Sequence, residues 1–277
     1  MMDIGVLGPC RVTQGGTSVV PTAIKPRKAL ALLALHPDRV VSVSALIEEL
    51  WDGNPPRSVQ TTLQTYILQI RNMIGAALIG QSQEGLPMGA KSVLVTKTGG
   101  YLLDTQGGTV DALEADRLAG AGHRALESGD HATAAARFRQ SLALWRGQAL
   151  VDVQVGPLLE AEVTRLEESR MSILGQRIEA DLNLGRHHEI LGELAGLAAQ
   201  FPTYERLQAQ LMLALYRSGR RGSALETYHK LRGTLNQELG LDPSPSVQEL
   251  QQAMLSDAPE LERESAGAGP LRMLRAG

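Results

Sequence analysis

Within "PPRSVQTTLQTYILQIRNMIG", residues 55–75, the apolar residues Val59, Leu63, Ile67, Ile70 and Ile74 recur at intervals of four, four, three and four. That spacing winds one apolar stripe along a helix, so the segment must lie against a core. Its other side is unusual. Gln60, Thr61, Thr62, Gln64, Thr65 and Gln69 crowd it, Arg57 and Arg71 flank it, and no Asp or Glu occurs from residue 53 to residue 83. At about 100° per residue, Thr61, Thr65, Leu68 and Asn72 point away from the core, with Gln64 and Arg71 on one flank and Gln69 on the other. Gln and Asn can pair bidentately with adenine, Arg with guanine, and Thr can contact a phosphate or a thymine methyl. A solvated helix that happens to use Gln and Thr is the plain alternative.

The elements around this helix weigh the choice. Ile4, Val6 and Leu7, a Gly15-Gly16 turn and Val19-Val20 predict a hairpin. Pro26 opens an apolar helix with Leu30, Leu33 and Leu35, ended by Pro37. A short extended piece at Val40-Val41 precedes a second helix with Leu46, Ile47, Leu50 and Trp51, capped by Ser42 or Ser44 and stopped at Gly53. Asn54 is expected to cap the third helix, with Pro55 in its first position. Two helices joined by so short a Gly-containing turn make a helix-turn-helix candidate. A polar link over 80–92 leads to "VLVTKTGGYLL", two strands about Thr98-Gly99-Gly100. Three helices and a terminal hairpin predict a winged helix over 1–107. Lys25, Arg27 and Lys28 at the first helix start and Lys97 and Thr98 on the hairpin are phosphate-contact candidates.

From about Val110 the pattern is helical only. "LESGDHATAAARF" (126–138), "LNLGRHHEILGEL" (182–194) and "YRSGRRGSALETY" (216–228) share a central Gly and an apolar residue nine positions after it. Gly185 and Gly219 are 34 residues apart, the tetratricopeptide period, while the longer interval from Gly129 leaves room for one extended helix. Stacked helix pairs over 108–256 are therefore expected, with a concave surface for another protein. The stretch 257–277 has no periodicity and reads as a disordered tail.

The formal net charge of −3 conceals an asymmetry: residues 1–107 carry +2 and residues 108–277 carry −5. This permits nucleic-acid binding without demonstrating it. One cysteine, Cys10, allows no internal disulfide. No apolar run approaches the length of a membrane span, and a cytoplasmic protein is expected. No P-loop motif occurs, the adjacent His187 and His188 do not share a helix face, and the acids Asp111, Glu114, Asp116 and Glu127 read as a solvated face. No enzyme, metal or cofactor is expected.

"VLGPCRV", "KPRKALALLAL", "ALIEELWDGNPPRSVQTTLQTYILQIR", "TGGYLL" and "ALYRSGRRGSALETYHKLRGTLNQELGLDPSPSVQELQQAML" occur in that order over about residues 3–256. In these blocks the chain resembles the Streptomyces antibiotic regulatory protein (SARP) family, in its small two-domain form. The resemblance implies an OmpR/PhoB-type winged helix followed by a bacterial transcriptional activation domain. It further implies an activator of antibiotic biosynthetic genes that binds direct repeats near promoters as paired protomers and recruits RNA polymerase. Carried over by position, Gln64, Thr65, Tyr66, Gln69 and Arg71 fall on the reading helix. Arg57, Thr61, Thr62, Lys25 and Arg27 become backbone contacts. Asp52, Gly53 and Asn54 fall in the loop that meets polymerase. Relatives carry Arg at positions matching Gln64 or Gln69; Gln there lowers phosphate attraction and favours adenine. A rival from another class is a helical-repeat adaptor or ligand sensor whose N-terminal domain only docks proteins.

Overall fold

The computed structural model describes residues 1–79 and 89–261. Most of the 80–92 link and most of the expected tail, 262–277, lie outside the described residues. The chain forms two compact units. The first comprises residues 1–117 and 140–171, the second residues 118–139 and 172–277.

The first unit opens with β1 (Met2–Gly5), β2 (Arg11–Gln14) and β3 (Thr17–Ser18), an antiparallel sheet in that order. The expected hairpin is thus a three-stranded meander. The Gly15-Gly16 turn is present, but its return strand is Thr17–Ser18, with Gln14 opposite Thr17. Val6 and Leu7 leave the strand and are buried in the following loop. Next come α1 (Ile24–Leu35), β4 (Val40–Ser42), α2 (Val43–Trp51), α3 (Val59–Ile79), the single turn α4 (Ala90–Val93), β5 (Leu94–Lys97) and β6 (Gly100–Leu103). A second sheet runs β4-β6-β5, all antiparallel. Gly100 stands where a Cβ would come 2.2 Å from the Val41 carbonyl oxygen, so a side chain there would part β4 from β6. This is the winged helix-turn-helix arrangement.

The helix α1 is buried from Lys28 through Ala34, because a helix apolar around its whole circumference can sit only at the centre of a core. Across from it, Leu63, Ile67, Ile70 and Ile74 of α3 are each 1% exposed or less, the stripe the spacing required. Ser42 caps α2, its hydroxyl accepting from the Ala45 N–H at 3.1 Å. Asp52 and Gly53 end that helix in the left-handed region, at φ 47° and 76°. One boundary differs from expectation: α3 starts at Val59, not at Pro55. Pro56 pushes Pro55 out of the helical region, so Arg57 and Ser58 form a turn and the first helical bonds come after it.

Three carboxylates tie residues 140–171 and the start of a fifth helix to this core. Asp111 begins α5 (Asp111–Glu127) and accepts from the backbone N–H groups of Val6 and Leu7 and from Arg146. Asp152 accepts from the Cys10 N–H at 2.6 Å and from Arg27. Glu49, 0% exposed on α2, accepts from Gly156, Leu158 and Leu159 at 2.6–3.0 Å. The last two begin α7 (Pro157–Asn183), whose free first-turn donors the carboxylate satisfies. Lys28, far from being a surface cation, lies buried with its ammonium 3.2 Å from the Glu49 carbonyl oxygen and 3.9 Å from its carboxylate.

The second unit is helical: parts of α5, α6 (His131–Leu142) and α7, then α8 (His187–Gln200), α9 (Glu205–Arg217), α10 (Arg221–Leu239) and α11 (Pro245–Leu255). The repeated motif becomes a repeated turn. Gly129, Gly185 and Gly219 take φ of 77°, 72° and 72°. In each, the glycine N–H bonds back three residues and the next N–H bonds back five: Asp130 to Ala125, Arg186 to Asp181, Arg220 to Leu215. That is the Schellman ending, which lets one helix stop and the next begin. The apolar residues nine positions on, Phe138, Leu194 and Tyr228, are all buried. The expected long helix is α7, at 27 residues. Ordered chain continues past residue 256 in a turn and a 3-10 helix, Pro259–Leu261, which buries Leu261. Among the described residues, no helix is long and apolar enough to cross a membrane.

Cys10 is buried, and burial, then the Asp152 carboxylate, push its thiol up to about 12. A thiol with so high a pKa stays protonated through pH 9, and only the thiolate attacks. The native protein is therefore expected to resist a thiol-specific chromogenic reagent at pH 8 and to react fully once unfolded. Fast labelling of the folded protein would contradict the burial.

Candidate nucleic-acid interface

The outward side of α3 is built by elimination. Once the stripe is buried, Thr61, Gln64, Thr65, Leu68, Gln69 and Asn72 are left exposed. The side lacks acids along its whole length, from Val59 to Ile79. The hydroxyls of Thr62 and Thr65 donate to the carbonyls of Ser58 and Thr61 at 3.0 Å, one turn back. Their protons are committed to the backbone, so they face a ligand as acceptors and methyls. Arg57 stands exposed in the turn ahead of the helix.

Two of the expected base or phosphate contacts also make ties within the fold. Arg71 lies about 80° round α3 from the core centre at about 100° per residue, so it reaches sideways rather than outward. Its guanidinium holds the Leu94 carbonyl oxygen at 2.9 and 2.7 Å and the Thr96 hydroxyl at 2.8 Å, and lies 6.0 Å from the Tyr101 ring centroid. It locks the β5–β6 wing to α3. Arg27 donates to the carbonyls of Pro21 and Asp152 and pairs with the Asp152 carboxylate at 3.3 Å. Both partners of Arg71 belong to a strand distant in sequence, and Asp152 is 125 residues from Arg27. The sideways angle of Arg71 was the only available signal.

Tyr66 also turns inward. Half-buried, it stacks on Trp51 with ring centroids 6.1 Å apart and planes 19° from parallel, and the Lys25 ammonium lies 4.5 Å from the same Trp51 ring centroid. This stack joins the starts of α1 and α3 to the end of α2. Beside it, Asp52, Gly53 and Asn54 are exposed yet ordered by their own bonds. The Asp52 N–H reaches the Glu48 carbonyl at 2.8 Å, the Asn54 N–H reaches Trp51, and the Asn54 amide reaches Asp52. Lys97 and Thr98 are exposed at the wing tip, where Thr98-Gly99 makes a two-residue turn. The structure thus presents one polar helix side, a wing clamped to that helix, and a rigid loop before it. Among the described residues no three His, Cys, Asp or Glu side chains gather as a metal set.

Comparison with known proteins gives this geometry a family. Residues 110–255 match the Bacterial transcriptional activator domain, and residues 18–85 match the family described as Transcriptional regulatory protein, C terminal. The regulatory protein DnrI of Streptomyces peucetius is 52% identical over 262 residues, which cover 95% of each chain. The transcriptional regulator RedD of Streptomyces coelicolor is 32% identical, the match covering 96% of this chain and 73% of RedD. The regulatory protein AfsR of Streptomyces coelicolor is 37% identical, and there the chain spans only 25% of its relative. Among solved structures, Mycobacterium tuberculosis EmbR in complex with a low affinity phosphopeptide superposes with a TM-score of 0.82 at 31% identity, covering 93% of this chain and 66% of that one. With the winged helix, the helical repeats and full-length similarity in agreement, the chain belongs to the Streptomyces antibiotic regulatory protein family of transcriptional activators.

Proposed function

We propose that this protein activates the genes of an antibiotic biosynthetic cluster by binding promoter DNA through α3. The observation that carries the reading is the exposed, acid-free Thr61/Gln64/Thr65/Gln69 side of a helix whose neighbouring wing is clamped in place by Arg71. Gln64 and Gln69 read base edges, while Arg57, Lys97 and Lys25 neutralise phosphates and the Thr98 hydroxyl hydrogen-bonds to one. Arg71, Arg27, Tyr66 and Thr62 serve by positioning. The protein works in the cytoplasm on direct repeats, with a second protomer alongside. Residues 1–107 form the DNA-binding domain, residues 108–256 the activation domain, and the ordered 52–54 loop meets RNA polymerase.

A gel-shift titration on the promoter of the regulated cluster tests this. Gln64→Ala or Gln69→Ala should cost about 1–3 kcal/mol at one base position and relax specificity there. Arg57→Ala should weaken binding to all sequences alike and flatten the salt dependence by about one unit of slope. Wild-type binding by all three variants would remove the reading.

A second reading, ligand sensing, has one observation in its favour. A cleft of about 720 Å³ in the helical unit is lined by His123, Gln176, Tyr204, Arg206 and Ser244 among others, within the size range of small-molecule sites. Its polar groups largely satisfy one another, His123 with Gln176, Arg206 with Glu179 and the Ser244 N–H with Glu205, which ranks it second.

A further inference from the structure

On α3, Leu68 is 57% exposed. A single exposed leucine is ordinary on a soluble surface. The position of this one is not. It lies one turn beyond Gln64 and Thr65 and one turn before Asn72, in the middle of the exposed acid-free side. Every other side chain there is an amide or a hydroxyl. Setting the core centre at Leu63, Leu68 stands about 140° away and within about 20° of Thr61, at about 100° per residue. Among the described residues, core packing does not account for an apolar group so placed.

In the major groove only one base edge offers an apolar partner, the C5-methyl group of thymine. A leucine flanked by Gln64 and Asn72, whose amides match the donor and acceptor of adenine, lies where an A·T step would present both. We propose that Leu68 is a specificity-determining residue that reads a thymine by covering its C5-methyl group. This inference rests on the reading that α3 enters the major groove. It adds what that reading lacks, a contact to the thymine methyl itself, which no hydrogen bond from this helix can make.

The test begins with a duplex selected by the wild-type protein from a random-sequence pool. Each thymine in the selected site is then replaced, one at a time, by deoxyuridine, which keeps every hydrogen-bonding group and removes only the methyl. Burying one methyl corresponds to about a fourfold change in affinity. One replacement should therefore weaken wild-type binding about fourfold and leave Leu68→Ala binding unchanged. Leu68→Met, which keeps an apolar side chain, should retain the loss. The proposal is overturned if no thymine shows the effect, or if the loss persists in Leu68→Ala. Failure to select any duplex would instead overturn the DNA reading itself, and this inference with it.

Discussion

Glu49→Ala is expected to destabilise the first unit by about 3–5 kcal/mol, the cost of leaving a buried charge without its partner. The carboxylate is fully enclosed and accepts from three backbone N–H groups at the start of α7, with the Lys28 ammonium beside it. Removing it orphans the three N–H groups at once and leaves the Lys28 ammonium with only the Glu49 backbone carbonyl. Glu49→Gln keeps the shape and one acceptor oxygen but loses the charge, so its loss should be intermediate. Lys28→Met should be milder than Glu49→Ala, because the carboxylate keeps its three backbone donors. Amide hydrogen exchange reads this directly. In Glu49→Ala, Leu158 and Leu159 should lose protection before Leu63 and Ile67 do. Wild-type protection and an unchanged urea midpoint would show that Glu49 is not the tie the geometry implies.

Phe138→Ala should cost about 3–5 kcal/mol in the helical unit, as for other fully buried aromatic truncations. The ring is among the largest fully buried side chains. A Cβ on Gly122 would come within 2.6 Å of it, and the His123 ring meets it edge-on at 5.3 Å between centroids. Gly122 thus leaves room that the ring fills. Leu194→Ala, at the equivalent repeat position, should cost about 2–5 kcal/mol for the same reason. Because the chain holds two compact units, both losses should appear in the exchange of α6 and α8 while α1 and α3 keep their protection. An effect spread evenly over both units would contradict that division.

The sequence carried most of what is periodic or local. The apolar spacing of residues 59–74 required a helix against a core, and four of its five stripe residues are fully buried. Ser42, Gly53 and the three repeat glycines mark helix ends because capping and positive φ depend on a few neighbouring residues. The acid-free polar side of α3 was legible for the same reason, since a helix turns by a known angle at each step. Local reading failed at Pro55-Pro56, where the restriction on the residue before a proline outweighed the preference of proline for a helix start.

What only the tertiary structure decided is which charged groups are free. Arg27 and Arg71 look like Arg57 and Lys97 in sequence, cations near helix or hairpin ends. Folding brings Asp152 to the first and the Leu94 carbonyl to the second, so they hold the fold together. Glu49, one of two adjacent acids on α2, becomes the cap of a helix that starts more than 100 residues later. The physical reason is range. Turn, cap and periodicity act over a few residues, whereas the partner of a charge is whatever the packed chain places within about 3 Å of it, and no spacing rule reaches that far.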